Sequence, residues 1–491
     1  MFSVPVKVPC RAVGLAWALA ALGACSVGSP YTRPEVPTPT EWKQSSGPES
    51  KPTSDQQDAK TSAASQAPHA PNAAGVWPAA DWWHGFKSPA LDDLIAEAEH
   101  NNDDLKAAMS RVQEADAQLR IAGAPLFPFL NLGADATRQR APVSGVGPET
   151  YNFFNPQLTA SYALDFWGKN RAARDAARAA SLASRFDQET VALTVVSSVA
   201  STYFQALELR DRIEVARQNF LNGDKILQGL RLQQSAGIAT GLDVAQQETV
   251  VAVQSAAIPP LVLALRQTVF ALAVLIGRTP ESIDVDSGAL AALSYPKIVE
   301  GIPSELLARR PDVAAAEQQL VAANADITVA RASLFPSIEL TASGGYESAA
   351  LAGLITPYNR VFAVSAGLTQ PIFQGGALRG QLQYSKARYA ELISSYHKTV
   401  LSAFSNVESA LVATQQATEQ ELRQQNAVDK AQRAYKFAQM QMAAGTVNIL
   451  NVLNTENALF SAQDELVQVQ YLRLQALINL FTALGGGWRQ G

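Results

Sequence analysis

The sequence predicts a mixed α and β membrane protein, in which tandem-duplicated long α-helical hairpins are combined with four β-strands. Three observations carry that prediction. The chain repeats itself at an offset of 208 residues, four segments alternate strictly between apolar and polar residues, and two stretches of more than 60 residues carry helical periodicity. The 491 residues are 47% hydrophobic but only 8% aromatic and 17% charged, so alanine and small aliphatics dominate the apolar fraction. With 39 Lys and Arg against 44 Asp and Glu, the net charge of −5 argues against a nucleic-acid partner, which needs a basic face. Two cysteines and four histidines without paired spacing give neither a disulfide framework nor a metal site. No Gly-x-Ser-x-Gly elbow or Walker-type loop is present, so catalytic residues and cofactors are expected to be absent. Beyond the N-terminus no run of about 18 apolar residues suggests a membrane-spanning helix.

Residues 1–24 read as an export signal. Lys7 and Arg11 precede an apolar stretch from Ala12 to Leu22, too short to span a bilayer. Leu22-Gly23-Ala24-Cys25 then resembles a bacterial lipoprotein box, with Cys25 as the lipidated residue; the alternative is an ordinary signal peptide that contains a cysteine. Ser26 follows in place of aspartate, and resemblance to the lipoprotein sorting rule implies an anchor in the outer membrane of a Gram-negative cell. Residues 25–76 form a lipidated N-terminus and a low-complexity stretch. From Gln44 to Gly75 it holds almost no large apolar residue and reads either as a flexible tether or as an insertion without function. Two repeats are expected to follow, over 77–290 and 291–491.

The repeat is visible residue by residue. Leu126-Phe127-Pro128 returns as Leu334-Phe335-Pro336, and the same shift of 208 carries Gly237 to Gly445, Leu242 to Leu450, Val244 to Val452 and Glu248 to Glu456. Each copy opens with an amphipathic helix, Pro89 to about Ala122 and Pro311 to about Ser333. Leu105, Ala108, Val112, Ala115 and Leu119 form its stripe in copy one, and a Phe-Pro pair ends it. In the first copy, Leu130 to Arg140 and Leu158 to Trp167 then alternate. In the second, Ile338 to Glu347 and Phe362 to Thr369 do the same. Alternation over roughly 9 to 11 residues describes a strand with one oily and one wet face, and four such strands cannot cover their oily faces within a chain that is otherwise helical. Pro142 to Glu149 and Ala352 to Tyr358 supply the hairpin loops. Trp167 and Tyr162 belong either to an interfacial aromatic belt or to packing beside the strands.

The period then changes. Arg171 to about Ser235 contains no proline and steps by threes and fours through Leu193, Val196, Ala200, Tyr203 and Leu207, which gives roughly 95 Å of helix. The chain turns at Ala236 to Gly241 and returns as a second helix. Copy two repeats this from Gly376 to Ala444, turning at Gly445-Thr446. Pro259-Pro260 in the first return helix face Val467 and Gln468 at the equivalent positions of the second, a local break in symmetry. Arg309, Arg310 and Asp312 form either a functional cluster or the start of a helix, with Pro311 in its first turn.

Several motifs occur together and in order. They are Trp82-Trp83 with Phe86, Leu91 and Leu94, Arg309-Arg310-Pro311-Asp312 with Glu317, both Phe-Pro junctions, Ala444-Gly445-Thr446, and Leu484-Gly485-Gly486-Gly487-Trp488. From about Trp77 to Trp488 the chain resembles the TolC-type outer membrane factors, in particular the NodT-like efflux lipoproteins. The resemblance implies a homotrimer whose chains give four strands each to one twelve-stranded outer-membrane β-barrel and their helices to a periplasmic α-barrel. It also implies a passive exit duct of a tripartite efflux system, fed by an inner-membrane pump of the RND or a similar class through a periplasmic adaptor. Alternatives are the duct of a type I protein-secretion system and a periplasmic adaptor lipoprotein. In the family the duct closes near the two helical turns. Where better-known members carry an arginine and two aspartates, this chain has Val447, Asn451 and Asn454, with Met442 replacing an aromatic residue and Asp243 retained in copy one. The expected gate therefore comprises Asn451, Asn454, Asp243, Leu450, Leu453, Val447 and Met442, with Asn451 and Asn454 either gating or lying on a helix surface. Gly237, Thr240, Gly241, Gly445 and Thr446 are the expected adaptor contacts.

Overall fold

The computed structural model describes residues 27–39, 42, 78–143, 147–285, 288–296 and 303–488. The export signal, Cys25 and the tether expected at 44–75 lie outside them. After a short 3-10 turn at Trp82–Phe86, the elements are α1 (Pro89–Asn101), α2 (Asp103–Gly123), β1 (Phe129–Val143), β2 (Gly147–Leu164), α3 (Lys169–Ser235) and α4 (Gly241–Leu275). The second series is α5 (Pro311–Ala332), β3 (Ser337–Tyr346), β4 (Arg360–Thr369), α6 (Ala377–Ala443) and α7 (Ile449–Ala483). Both long helices have 67 residues, about 100 Å each, both return helices have 35, and each pair is displaced by the same 208 positions. The repeat is therefore present in the fold as well as in the sequence.

The chain divides into two compact units that do not coincide with the repeats. One comprises Met1–Glu35, Ser110–Arg185 and Ala315–His397; the other comprises Val36–Met109, Phe186–Ala314 and Lys398–Gly491. Each draws on both copies.

The first unit holds a four-stranded antiparallel sheet in the order β1-β2-β3-β4. Its register stacks Leu130 on Ala160 and Leu132 on Leu158, and carries the row on through Tyr162 beside Leu340, Ala342 beside Val364 and Ile338 beside Leu368. The predicted oily faces thus align across all four strands. Much of that row is uncovered: Leu132 is 80% exposed, Val364 79% and Phe362 87%, whereas Tyr162 and Ile338 are half-buried. On the other face Thr341 and Ser365 share a hydrogen bond of 2.5 Å between their hydroxyls. The first hairpin is longer than its alternation suggests. Proline and glycine at 142–149 mark a loop in the sequence, yet Pro142 pairs with Pro148 and Val143 with Gly147, so the ladder runs almost to the tip. Trp167 packs rather than facing outward: it stacks on Phe335 with ring centroids 4.9 Å apart, and its indole Nε1–H donates to the Pro336 carbonyl at 2.7 Å.

An extended strap crosses the same unit. Arg331 donates to the Val27 carbonyl at 2.7 Å, Gly28 lies against Thr328, Asn324 donates to the Ser29 carbonyl at 3.2 Å, and the Arg33 guanidinium forks onto Glu317. Rising chain numbers in the strap meet falling numbers in α5, so the two run antiparallel. No periodicity marks such a segment, because the hydrogen bonds that hold it are with residues about 300 positions away.

The second unit is held by a core of Trp82, Phe86, Leu91, Ile95, Val199, Phe204, Leu207, Leu272, Ile276, Leu474 and Phe481. Trp82 stacks on Phe481 at 4.8 Å, and Phe86 meets Phe204 edge-on at 5.0 Å. The single helix expected from Pro89 to Ala122 is instead two. Asn102 is extended (ψ 129°), its side-chain oxygen accepts from the Leu105 amide at 3.0 Å, and its amide nitrogen donates to the Leu275 carbonyl at 2.7 Å. A side chain that caps the following helix competes with continuation of the preceding one. Pro259 and Pro260, by contrast, do not shorten α4, which remains helical through both. Two helices, α3 and α4, also contain windows long and apolar enough to cross a bilayer, which corrects the sequence expectation that no such run exists. In α4 that window follows the alanine- and valine-rich sequence with few charges.

Arg309-Arg310-Pro311-Asp312 starts a helix and ties it to the end of another. Arg310 donates to Asp312 at 3.0 and 2.7 Å and to the Ala483 carbonyl at 2.9 Å. α7 then ends in a Schellman turn, in which the Gly485 and Gly486 amides donate to Thr482 and Phe481. Gly485 has φ +89°, and a Cβ there would sit 1.9 Å from the Arg309 carbonyl oxygen. The Gly485→Ala variant is expected to lose about 2 kcal/mol or more from left-handed strain and the clash together. Thermal unfolding of the purified protein checks this; an unchanged midpoint would show that the motif is not a closely packed joint.

Candidate functional site

The two helical turns are built by the same backbone logic. In the first, Gly237 (φ +75°) donates to Gln234 and Ile238 to Gln233, both at 2.9 Å; in the second, Gly445 (φ +71°) donates to Met442 at 3.0 Å and Thr446 to Gln441 at 2.9 Å. Both are Schellman turns, and the left-handed residue each requires is met by glycine without a Cβ penalty. The Thr446 hydroxyl adds a bond to the Gln441 carbonyl at 3.0 Å. Gly237, Thr240, Gly241, Gly445 and Thr446 are all exposed.

The helices that leave the turns start differently. In copy one, Thr240 and Asp243 form a capping box: the Thr240 amide donates to Asp243 at 2.8 Å, and the Asp243 amide donates to the Thr240 hydroxyl at 3.2 Å. The Thr240 hydroxyl, which donates to the same carboxylate at 2.7 Å, and then the Thr240 amide hold the Asp243 carboxyl below the usual range. Asp243 is thus committed to closing a helix end. Asn448 and Asn451 occupy the equivalent positions in copy two, where the Asn448 side chain caps no backbone amide and instead accepts from the Asn451 side chain at 3.1 Å. The second return helix therefore begins with two exposed amides where the first has a charged, self-satisfied cap.

The expected gate residues separate by environment. Leu450, Asn451 and Asn454 are exposed, with Leu450 at 47%. Leu453 is buried with Val452, Ile449, Leu227, Leu230, Val244 and Ala438, and Met442 packs against the same cluster. Val447 is half-buried. Leu453 and Met442 accordingly hold the hairpins together. Ile238 and Leu242, neither of them among the expected gate residues, are exposed at 76% and 66% beside the first turn. The signal was available, since Leu242 is the repeat counterpart of Leu450. Among the described residues no cluster of histidine, cysteine and carboxylates could hold a metal ion.

Known proteins give this arrangement a family. The outer membrane efflux protein family matches residues 94–278 and again 302–486. The chain is 41% identical over 421 residues to the pyoverdine export outer membrane protein OpmQ of Pseudomonas aeruginosa, covering 84% of this chain and 88% of that one. It is 33% identical over 475 residues to the toluene efflux pump outer membrane protein TtgF of Pseudomonas putida, covering 95% of each. Among solved structures, the open-state MtrE outer membrane channel of Neisseria gonorrhoeae aligns with a TM-score of 0.81 at 27% identity, over 95% of this chain and 99% of that one. Two family matches in one chain, together with helical hairpins and a bare-faced sheet, establish that this chain belongs to the outer membrane efflux protein family and is an outer-membrane channel protein rather than an enzyme.

Proposed function

We propose that the protein is the exit duct of a tripartite efflux system, assembled as a homotrimer and fed by an inner-membrane pump of the RND or a similar class through a periplasmic adaptor. The observation that carries this reading is the sheet. Its apolar face is uncovered, and β1 and β4 each leave one edge unpaired. Such edges are untenable in hydrocarbon, where each unpaired backbone group costs several kcal/mol, and closure into a barrel with other copies removes them. Three copies give twelve strands. Val253, Leu263, Phe270 and Val274 of α4 are also exposed in the single chain and suit burial against a neighbouring copy. The names of these relatives concern pyoverdine and toluene, which favours small molecules over proteins as cargo.

The anchor belongs to the same reading. Cys25 precedes by two residues the Val27 carbonyl held by Arg331, and α5 ends one residue after Arg331, shortly before β3 starts at Ser337. Acyl chains on Cys25 would therefore leave the protein near the foot of the strands, where a membrane surface would lie. Several chains would make the attachment durable. Cys25→Ala is expected to abolish incorporation of labelled palmitate while heat-sensitive trimers persist in outer-membrane fractions. Continued labelling would move the lipid elsewhere, and a soluble monomer would end the trimeric reading.

The gate is assigned to Leu450, Asn451 and Asn454, with Asp243, Leu453, Val447 and Met442 in supporting positions. It would close by apolar and amide contacts instead of an acidic ring, so strong cation binding at the constriction is not expected. The exposed turns, Gly237, Thr240 and Gly241 with Gly445 and Thr446, are the surface offered to the adaptor. In planar bilayers the combined Asn451→Ala and Asn454→Ala variant is expected to raise the closed-state conductance several-fold. An unchanged current would place the constriction elsewhere.

A further inference from the structure

Three polar side chains meet where no charge is available to satisfy them. Gln247 and Gln254 of α4 and Glu456 of α7 are 0%, 3% and 2% exposed, and all three converge on Gly223 of α3. A Cβ at Gly223 would lie 2.7 Å from Gln254 Oε1 and 3.4 Å from both Gln247 Nε2 and Glu456 Oε1, so the missing side chain makes the room they occupy. Gln247 donates to the Gly223 carbonyl at 2.8 Å, and Gln254 donates to Glu456 Oε1 at 3.4 Å, a long bond. Gln247 Oε1, Gln254 Oε1 and Glu456 Oε2 are left buried without a partner. All three are acceptors. What the cluster lacks is a donor.

The repeat explains how this came about. The counterpart of Glu456 in copy one is Glu248, which is exposed and paired with Arg231 at 2.8 Å. The position equivalent to Arg231 in copy two is Gln439, so the second copy keeps the carboxyl and has lost its cation. Gln254 and Gln247 face Glu456 from α4 and the Gly223 backbone faces it from α3. Tyr435 faces it from α6, its hydroxyl pushed up to about 12 by burial first and by the Glu456 charge second. Among the described residues no lysine, arginine or histidine contributes to the balance at Glu456, and burial pushes its carboxyl above the usual range against the lowering bonds from Gln254 and Gln247.

We propose that Glu456 binds a proton at neutral pH and, as a neutral acid donating to Gln247 or Gln254, staples the return helix of the second repeat to both helices of the first. One proton turns Oε2 from an unmet acceptor into a donor and satisfies a glutamine oxygen with the same bond, which resolves two of the three orphaned atoms. A buried carboxylate held only by the neutral amides of Gln254 and Gln247 is far less favourable. Glu456 lies seven residues into α7 and Gln247 six residues into α4, so the staple sits about 10 Å from the start of each helix. Ionising it loosens the joint between the two hairpins close to their turns. The folded carboxyl is raised above its ordinary value, so the staple is fully made below the ordinary glutamate range and is lost as the pH rises through the raised value. This reading depends on the packing of one chain and not on the gate assigned above.

Infrared spectroscopy of the full-length protein in membranes at pH 7, compared with Glu456→Gln, gives the test. The expected result is a protonated-carboxyl C=O band in the wild type that is missing in the variant. Raising the pH should remove the band and lower the wild-type unfolding midpoint by at least about 2 °C relative to Glu456→Gln, which carries an uncharged isostere. If that variant does not fold, hydrogen exchange in residues 449–459 of the wild type, corrected for the intrinsic rate, should accelerate over the pH range in which the band disappears. Absence of the band at pH 7 would overturn the proposal. So would a midpoint set by sodium, potassium or calcium at constant pH, which would mean that a cation occupies the cluster.

Discussion

A strand that meets hydrocarbon must have every backbone amide and carbonyl bonded to another strand, because no water is present to bond them instead. Much of this chain is organised around that requirement. The sheet satisfies its interior ladders within one chain, from Phe129 paired with Ser161 to Ser337 paired with Thr369, and leaves its two outer edges open. Its apolar row is continuous across four strands, and Leu132, Phe362 and Val364 in it are left exposed by the described residues of the chain. Burial therefore cannot be completed by a single copy, and the uncovered side chains on α4 show the same incompleteness in a helix.

Duplication supplies the economy of the design, and the departures from it supply the specialisation. Two Schellman turns and two pairs of helices of identical length come from one local pattern used twice. The helix starts beyond those turns have diverged, with Thr240 and Asp243 closing one end tightly and Asn448 and Asn451 leaving exposed amides at the other. Glu248 and Glu456 diverge in the same manner, one exposed beside an arginine and the other buried among amides. At equivalent positions the backbone is conserved in form while the side-chain chemistry differs.

The joint between distant motifs shows how the ends of the second repeat are fixed. Arg310 holds Asp312 and the Ala483 carbonyl at once, and Gly485 approaches the Arg309 carbonyl too closely for any side chain. The start of α5 and the end of α7 therefore define each other. Trp488 continues the closure by meeting Phe186 edge-on at 5.6 Å. These residues look like a reactive cluster when read one by one, and their bonds show a helix clamp.

Elements whose causes are local can be read along the chain without its fold. Periods of two and of three to four residues set the strands and helices, glycine set the turns, and the 208-residue offset set the order in which everything recurs. The sequence also located the exposed amides Asn451 and Asn454. Tertiary structure decided whatever depends on partners far away in the chain. Asn102 breaks a helix whose stripe is continuous because its amide reaches Leu275, and the strap at 27–33 has a path only because α5 provides one. Leu450 and Leu453 read alike as apolar residues of one helix, yet one is bare and the other buried, since only packing against Leu227 and Leu230 distinguishes their faces. Glu456 is the sharpest case. Its neighbours in sequence are those of a surface residue, and its burial follows from Gly223 and Gln254, more than 200 positions away, which no local pattern encodes.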